Sequence, residues 1–252
     1  MTLRGRFVPE QELALFLDVD GTLLEIAATP DSVRVPGALR NTLELSAQRE
    51  QGALALISGR SLASLDELFA PAAFPAAGLH GLERRNYAGE IWRAPVNQAA
   101  LDIARQRLQE LQSQHRGLLL EDKHLALALH YRHALELADF LFDELSSLQQ
   151  QVAPHLQLKR GKCVLELLPS GYSKRTAIEA FMREDPFAGR IPVFVGDDVT
   201  DEDGFAAVNE LGGYSIRVGD SVNTAARFTF ANVSAVINWL RERNLTTPRA
   251  GT

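Results

Sequence analysis

The chain has 252 residues, 46% of them hydrophobic, and a formal net charge of −6, and its length allows one large domain or two small ones. The acidic balance argues against a nucleic-acid partner, and the single Cys163 excludes an internal disulfide bond. No apolar run approaches the length of a membrane span and no signal peptide is apparent, so we expect a cytoplasmic protein that binds neither nucleic acid nor membrane.

The first predicted element is a strand over residues 13–18, preceded by a polar stretch, residues 1–12, that we predict to be irregular. The apolar run ends in Asp18 and Asp20, followed by Gly21. Such a run before a glycine turn is typical of a parallel strand buried on both faces, and open α/β sheets place their ligand sites at the carboxyl ends of these strands. Two carboxylates there are costly unless a cation or a reaction needs them.

The next part of the chain continues an α/β pattern. After a loop over residues 29–36, we predict a helix over 38–49 that buries Leu39, Leu43 and Leu45, a strand over 53–58 and a helix over 61–69. The segment 58–60 follows this strand and leads into the helix. A hydroxyl group and backbone N–H groups at the start of a helix bind phosphate oxygens well, so Ser58 is a candidate phosphate ligand. A serine that only caps the helix is an equally simple interpretation. A short strand (74–80) and a hairpin (83–92) follow.

The pattern then changes to a helix followed by two strands, and this unit occurs twice. The predicted helices span residues 97–116 and 133–151, the second with Phe140 on its apolar face; the predicted strands span residues 118–121, 125–131, 155–159 and 163–168. An αββαββ unit can form an antiparallel sheet with both helices on one face. We therefore predict an inserted α+β domain at 97–167, between two core segments, 1–96 and 168–252.

The α/β pattern resumes with a helix over 173–182, capped by Ser170 or Ser173, with Lys174 in its first turn. A lysine there opposes the helix dipole, which suggests an anionic partner. The remaining predicted elements are a strand at 192–196, a helix at 203–211, a strand at 213–219 and a helix at 234–243.

An acidic segment, residues 197–203, follows the strand at 192–196 and holds five carboxylates. Acids are favoured in the first turn of a helix, which would by itself account for Asp201, Glu202 and Asp203. It does not account for Asp197 and Asp198 at the strand end. Clustered carboxylates are typical ligands of Mg2+, so we predict a cation site. The carboxyl ends of parallel strands share one edge of a sheet, so Asp18, Ser58, Lys174 and Asp197 can converge there.

The segments DVDGT (18–22), SGR (58–60), Lys174 and GDDVTDED (196–203) resemble, in order, the four motifs of the haloacid dehalogenase-like (HAD) hydrolases, most of which are phosphatases. The resemblance implies a Rossmann-like parallel-sheet core. It also implies roles for the motif residues. Asp18 would be the nucleophile that attacks phosphorus, and Asp20 the general acid and base. Asp18, Asp197 and Asp20, the last through its backbone carbonyl, would hold Mg2+. Ser58 and Lys174 would bind the phosphoryl group, with Asp198 and Asp201 orienting the ligands.

Longer segments are similar to those of the bacterial trehalose-6-phosphate phosphatases, from about residue 14 to 239: LISGR (56–60), GLHG (78–81), LALHYR (127–132), GKCVLE (161–166) and FVGDDVTDE (194–202). This resemblance implies a Mg2+-dependent enzyme that converts a small sugar phosphate, trehalose 6-phosphate, to trehalose and phosphate through an aspartyl-phosphate. We expect the enzyme to be a monomer. The insert would be a C2-type cap that binds the sugar through Glu121, Lys123 and Glu166. Gly21, Arg60 and His80 are expected to line the substrate pocket. One departure is Arg175, where the family usually has glycine.

Three alternatives remain open at this stage. Another HAD phosphatase, for sucrose 6-phosphate or a hexose phosphate, would share the core and differ in the cap. A phosphorylated receiver domain uses similar residues, but it is about half this length, has no cap, and its first two acids are adjacent. A carbohydrate-binding protein without catalysis would leave Asp18 and Asp20 unexplained.

Overall fold

The computed structural model describes residues 12–26, 34–161, 163–220 and 223–245, so most of the predicted irregular stretch 1–12 and part of the loop 29–36 lie outside it. The chain divides into two compact units. One holds the chain up to Trp92 and again from Ser173 onward, and the other spans Arg93–Tyr172. The second unit extends a few residues beyond the predicted insert, 97–167, at each end.

The first unit is built on an eight-stranded sheet. Its strands, numbered in chain order over both units, are β1 (Leu13–Leu17), β2 (Leu54–Ile57), β3 (Ala76–Gly78), β4 (Glu83–Arg85), β5 (Ile91–Arg93), β10 (Ile191–Gly196), β11 (Tyr214–Val218) and β12 (Phe228–Phe230). They lie in the order β12-β11-β10-β1-β2-β3-β4-β5. The six strands from β12 to β3 are parallel, and Phe16 on β1 pairs with Ala55 on β2 and Phe194 on β10. The chain leaves β1 first toward β2 and later returns to β10 on its other side. The carboxyl end of β1 therefore lies at the switch point where open α/β sheets bind ligands.

Helices cover both faces of this sheet. They are α1 (Gly37–Arg49), α2 (Leu62–Phe69), α5 (Lys174–Phe181), α6 (Glu202–Glu210) and α7 (Val233–Leu245). Leu13, Leu15 and Leu17 of β1 pack with α1, α2 and α7, whereas Ala14 and Phe16 pack with α5 and α6. Successive side chains of a strand point to opposite faces. The uninterrupted apolar run of β1 is thus explained by burial on both sides, as the sequence predicts.

The second unit has the predicted αββαββ order: α3 (Gln98–Gln114), β6 (Leu119–Asp122), β7 (Leu127–His130), α4 (Ala138–Val152), β8 (Leu156–Gly161) and β9 (Val164–Pro169). The four strands form an antiparallel sheet in the order β6-β7-β9-β8. Leu127 and Leu129 of β7 and Leu165 and Leu167 of β9 pack with the apolar faces of α3 and α4. Both helices therefore cover one face, and the alternate residues of each strand occupy the other face.

The structure corrects several predictions of detail. Residues Leu135–Leu137 form a 3-10 helix, so α4 begins at Ala138, later than predicted. Strand β12 was not predicted. Leu45 and Phe140, predicted on buried helix faces, are 44% and 42% exposed. Within the described ranges, none of the helices combines the length and the apolar character that crossing a membrane requires.

Candidate active site

Asp18 follows β1 directly, and its side chain pairs with Lys174. The backbone N–H of Asp18 donates to the Val195 carbonyl of β10, which continues the strand ladder into the motif. Lys174 Nζ lies 2.7 Å from Oδ1 of Asp18 and 2.5 Å from Oδ1 of Asp201. All three side chains are buried. The ammonium group is therefore held between two carboxylates that come from opposite ends of the sequence.

Lys174 is the first residue of α5, and Ser173 is the N-cap. The N–H of Ser173 donates to Oγ1 of Thr176 at 3.0 Å, which satisfies one group at the start of the helix. Of the two predicted capping residues, Ser173 is thus the one that caps α5. This helix start directs the lysine toward β1.

Asp201 organises the turn that follows β10. Its Oδ2 accepts the N–H groups of Asp197 and Asp198, both at 2.9 Å, while its Oδ1 contacts Lys174. A Cβ at Gly196 would lie 2.4 Å from Cγ of Asp201, so glycine is needed at the end of β10. Asp201 therefore has both oxygens engaged, which fits an orienting residue better than a direct metal ligand.

The carboxylates of Asp18 and Asp197 mark a candidate cation site, with that of Asp201 close behind them. Each offers one carboxylate oxygen, and these oxygens lie within 4.8 Å of one another. Oδ1 of Asp197 is buried and has no hydrogen-bond partner among the described residues. A buried carboxylate oxygen without a donor is costly unless it binds a cation. The donor set, all oxygen, suits a divalent cation such as Mg2+.

The pKa shifts agree with this excess of negative charge. Burial raises the pKa of Asp18 well above its usual value, and Asp201 and Asp197 raise it further, against the opposing charge of Lys174. Burial, Asp201 and Asp198 raise the pKa of Asp197 to about 7. Burial alone would lower the pKa of Lys174, but Asp18 and Asp201 outweigh it and raise that pKa above its usual value. A divalent cation would offset the repulsion that remains.

Gly21 lies against Asp197. Its φ is +84°, in the region that favours glycine, and its N–H donates to the Leu24 carbonyl at 2.7 Å. A Cβ built on Gly21 would lie 2.1 Å from Oδ2 of Asp197. The glycine of the motif therefore allows the loop after β1 to approach the acidic turn after β10.

The Asp20 side chain points to Arg60 rather than to the carboxylate group around Asp197. Nε and Nη2 of Arg60 donate to the two oxygens of Asp20, both at 2.7 Å. This is a two-pronged, charge-assisted contact of the kind that arginine forms with carboxylates and phosphates. The predicted participation of Asp20 in metal binding concerns its backbone carbonyl, which this side-chain contact leaves available.

Ser58 lies at the end of β2, buried, with Oγ accepting the N–H of Arg60 at 3.1 Å. The alternative interpretation of Ser58 as the helix cap is wrong, because Ser61 is the N-cap of α2 and accepts the N–H of Ser64. His80 lies beside this loop, with a left-handed backbone (φ 56°), and its N–H donates to the Ser58 carbonyl. The imidazole ring lies 2.9 Å from where a Cβ on Gly59 would be, so Gly59 makes room for it.

The three residues predicted to bind the sugar lie together on the polar face of the second unit's sheet. Lys123 Nζ is 2.8 Å from Oε1 of Glu166 and 4.0 Å from Oε2 of Glu121. His130, which sequence reasoning did not single out, contacts the same Glu121 oxygen through Nε2 at 2.9 Å. Its position was readable in principle, because His130 alternates along β7 with the buried Leu127 and Leu129.

Comparisons with known proteins agree with the motifs. A family model described as trehalose-phosphatase matches residues 16–234. The trehalose-6-phosphate phosphatase of Escherichia coli K12 is 48% identical over 228 residues, which are 90% of this chain and 85% of that protein. A probable trehalose-phosphate phosphatase of Sinorhizobium fredii is 44% identical over 83% of this chain and 78% of its own length.

Among solved structures, the C-terminal domain of the Candida albicans trehalose-6-phosphate phosphatase matches with a TM-score of 0.80. The match covers 93% of each chain at 22% sequence identity. At that identity the likeness concerns the fold, and it extends over the core and the inserted unit alike.

Proposed function

The chain belongs to the trehalose-phosphatase family of HAD hydrolases, and we propose that it hydrolyses trehalose 6-phosphate to trehalose and phosphate with Mg2+. The observation that carries the proposal is the buried group at the end of β1, in which Asp18 contacts Lys174 and lies beside Asp197. A receiver domain is disfavoured, since the chain contains the inserted αββαββ unit. A binding protein would not need this buried, charge-rich group of carboxylates.

Asp18 is the proposed nucleophile. Its carboxylate oxygen attacks phosphorus, the bond from phosphorus to the sugar oxygen breaks, and an aspartyl-phosphate forms. Asp20 gives its proton to the departing sugar oxygen. It then takes a proton from the water that attacks the aspartyl-phosphate, which frees Asp18 and releases phosphate. Lys174, fixed between Asp18 and Asp201, keeps the nucleophile oriented and offsets its charge as the phosphoryl group approaches.

Mg2+ is the proposed cation. Asp18, Asp197 and the backbone carbonyl of Asp20 would hold it, and it would supply positive charge to the phosphoryl oxygens. The unpartnered Oδ1 of Asp197 supports this assignment. Asp201 and Asp198 would act indirectly: Asp201 fixes the turn that presents Asp197, as its bonds to both N–H groups indicate.

Ser58 is the proposed phosphoryl ligand beside Lys174. Its hydroxyl accepts the N–H of Arg60 and can donate its own proton to a phosphate oxygen. Gly21, Arg60 and His80 are proposed to line the substrate pocket. The guanidinium of Arg60 is suited to phosphate because its fork of donors matches two oxygens at once.

Glu121, Lys123 and Glu166 are proposed to bind the sugar. A disaccharide offers many hydroxyl groups, and charged acceptors and donors recognise hydroxyls well. The clustering of these three side chains on one sheet face supports the assignment. Polar recognition of this kind can discriminate strongly between sugars, because a mismatched hydroxyl leaves buried polar groups unpaired.

The test is phosphate release from trehalose 6-phosphate, sucrose 6-phosphate, glucose 6-phosphate and p-nitrophenyl phosphate, each with Mg2+ and with EDTA. The proposal predicts EDTA-sensitive release with a strong preference for trehalose 6-phosphate, and trehalose formed in equal amount to phosphate. A preference for sucrose 6-phosphate or glucose 6-phosphate would retain the phosphatase mechanism and contradict the substrate. No release from any ester would contradict both.

A further inference from the structure

The polar face of the second unit's sheet holds one hydrogen-bonded side-chain pair, His130 and Glu121, that no role assigned so far accounts for. His130 is the last residue of β7, and it reaches Glu121 on the neighbouring strand β6. Leu127 and Leu129 of the same strand pack with the helices, so Ala128 and His130 occupy the opposite face. His130 therefore shares a surface with the residues proposed to bind the sugar.

Two carboxylates on this face are held in the same manner. Glu121 on β6 and Glu166 on β9 both pair in register with Ala128 of β7, so they flank its short side chain. Lys123 holds Glu166 at 2.8 Å, and His130 holds Glu121 at 2.9 Å. Each acid thus has a polar partner that fixes its position on either side of a small residue.

The contact leaves one oxygen of Glu121 available. His130 Nε2 approaches Oε2, and within the described residues Oε1 accepts no hydrogen bond. The Glu121 side chain is 43% exposed, so a ligand can reach it. The hydrogen bond from His130 lowers the pKa of Glu121, opposed by burial and aided by the charge of Lys123. The carboxylate is therefore ionised and can only accept hydrogen bonds.

We propose that His130 is a positioning residue for substrate recognition, which holds Glu121 so that Oε1 accepts a hydroxyl group of the sugar. The inference deepens the proposed function and rests on it. A free glutamate side chain has many rotamers, and ordering it on binding costs affinity. A histidine that orders it in advance removes that cost from the binding step.

The test compares His130→Ala with His130→Gln and with His133→Ala. Gln can place an amide N–H near the position of Nε2, so it should restore most of the contact. His133 is an exposed histidine three residues further along the chain, and its side chain makes no hydrogen bond in the part of the chain that the structure describes. All variants would be assayed on trehalose 6-phosphate and on p-nitrophenyl phosphate, which has no sugar.

We expect kcat/KM of His130→Ala for trehalose 6-phosphate to fall about tenfold, mainly through KM, as the lost ordering of one long side chain would give. His130→Gln should recover most of this loss, and His133→Ala should show none. In a Glu121→Ala background, His130→Ala should cause no further loss of kcat/KM, because the carboxylate that His130 positions is already absent.

An equal loss on p-nitrophenyl phosphate, or a full additional loss in the Glu121→Ala background, would overturn the positioning role. Failure of the proposed function is a separate result: a wild-type enzyme with no preference for trehalose 6-phosphate would overturn both. A wild-type preference that His130→Ala retains unchanged would overturn the His130 inference alone.

Discussion

Lys174 and Asp18 are 156 positions apart in the chain, yet Nζ of the lysine lies 2.7 Å from Oδ1 of the aspartate with both side chains buried. The parallel sheet brings them together, since Asp18 ends β1 and Lys174 begins a helix that packs on the same sheet. Lys174 also contacts Asp201, and Asp197 lies beside them. The site therefore holds three carboxylates around one ammonium group.

Replacing the lysine would leave two buried carboxylates without their counter-charge. We expect Lys174→Met, measured by urea unfolding at pH 8 in EDTA, to lose about 3–5 kcal/mol of unfolding free energy. The adjacent Arg175→Met is the control. Arg175 pairs at the surface with Glu210 and Glu179, where solvent screens the charges, so Arg175→Met should cost far less than Lys174→Met. Similar losses for the two variants would show that burial of the Lys174 pair is not the deciding factor.

Arg175 is also the residue at which this chain departs from the family pattern. The family usually has glycine after the motif lysine, whereas here the arginine side chain turns to α6 and Glu210. Lys174 keeps its contacts with Asp18 and Asp201. We therefore expect Arg175→Met to retain the catalytic rate as well as the fold.

The close approach of Gly21 to Asp197 gives a second prediction. In Gly21→Ala the new methyl group would overlap Oδ2 of Asp197, so the carboxylate must move. We expect the Mg2+ concentration for half-maximal activity to rise at least tenfold. Gly89→Ala is the control variant, since Gly89 has a similar φ of +86° but its new Cβ would have no atom within 4 Å. An unchanged Mg2+ requirement in Gly21→Ala would contradict the assignment of Asp197 as a ligand.

The titration of Asp197 gives a third prediction. Its pKa is raised to about 7, mainly by burial, so the folded protein binds this proton more tightly than the unfolded chain does. The metal-free protein should lose this contribution to stability as the pH rises from about 4 to about 7. Below pH 7 a cation must displace the proton from Asp197, whereas above pH 7 the carboxylate is mostly ionised and there is little proton to displace.

The rise in Tm that Mg2+ produces should therefore be larger at pH 8 than at pH 6, with each sample compared with an EDTA control. Asp197→Asn, which cannot titrate, should show a small rise at both pH values. A stabilisation by Mg2+ that is greater at pH 6 would contradict this interpretation of the site.

A fourth prediction concerns stability away from the site. At the other end of β1, Arg243 of α7 donates to Glu50, whose second oxygen accepts the N–H of Leu13. Both charged side chains are buried. Arg243→Met should cost about 3–5 kcal/mol of unfolding free energy and leave kcat unchanged for the molecules that remain folded.

The control for this prediction is Arg241→Met, an exposed position on the same helix. It should change the unfolding free energy by less than about 0.5 kcal/mol. A loss of kcat in folded Arg243→Met would contradict this prediction, since it would mean that the amino end of β1, at Leu13, influences the active site.

Local pattern was sufficient to predict β1 and the inserted unit. The run from Leu13 to Leu17 is apolar without interruption, and α3 and α4 repeat leucines at helical spacing. Strand β12 was missed because it has only three residues, and its place depends on backbone pairing with β11, which its own side chains do not encode.

Contacts between distant segments were the part that the sequence could not provide. The motif residues Asp20 and Arg60 were both singled out, but nothing in their spacing predicts the two 2.7 Å contacts between them. The second role of Asp201, as acceptor for two N–H groups of its own turn, likewise depends on the folded backbone. Such details require the three-dimensional arrangement of β1, β2 and β10.

The central claim is that Asp18 carries the phosphoryl group, and the most direct measurement is to trap that intermediate. The enzyme would be mixed with Mg2+ and labelled trehalose 6-phosphate, quenched in acid within milliseconds, digested, and analysed by mass spectrometry. We predict phosphate on the peptide that contains Asp18, lost on treatment with hydroxylamine, and no label in Asp18→Asn. Rapid turnover without a labelled peptide, or label on any other residue, would contradict the mechanism.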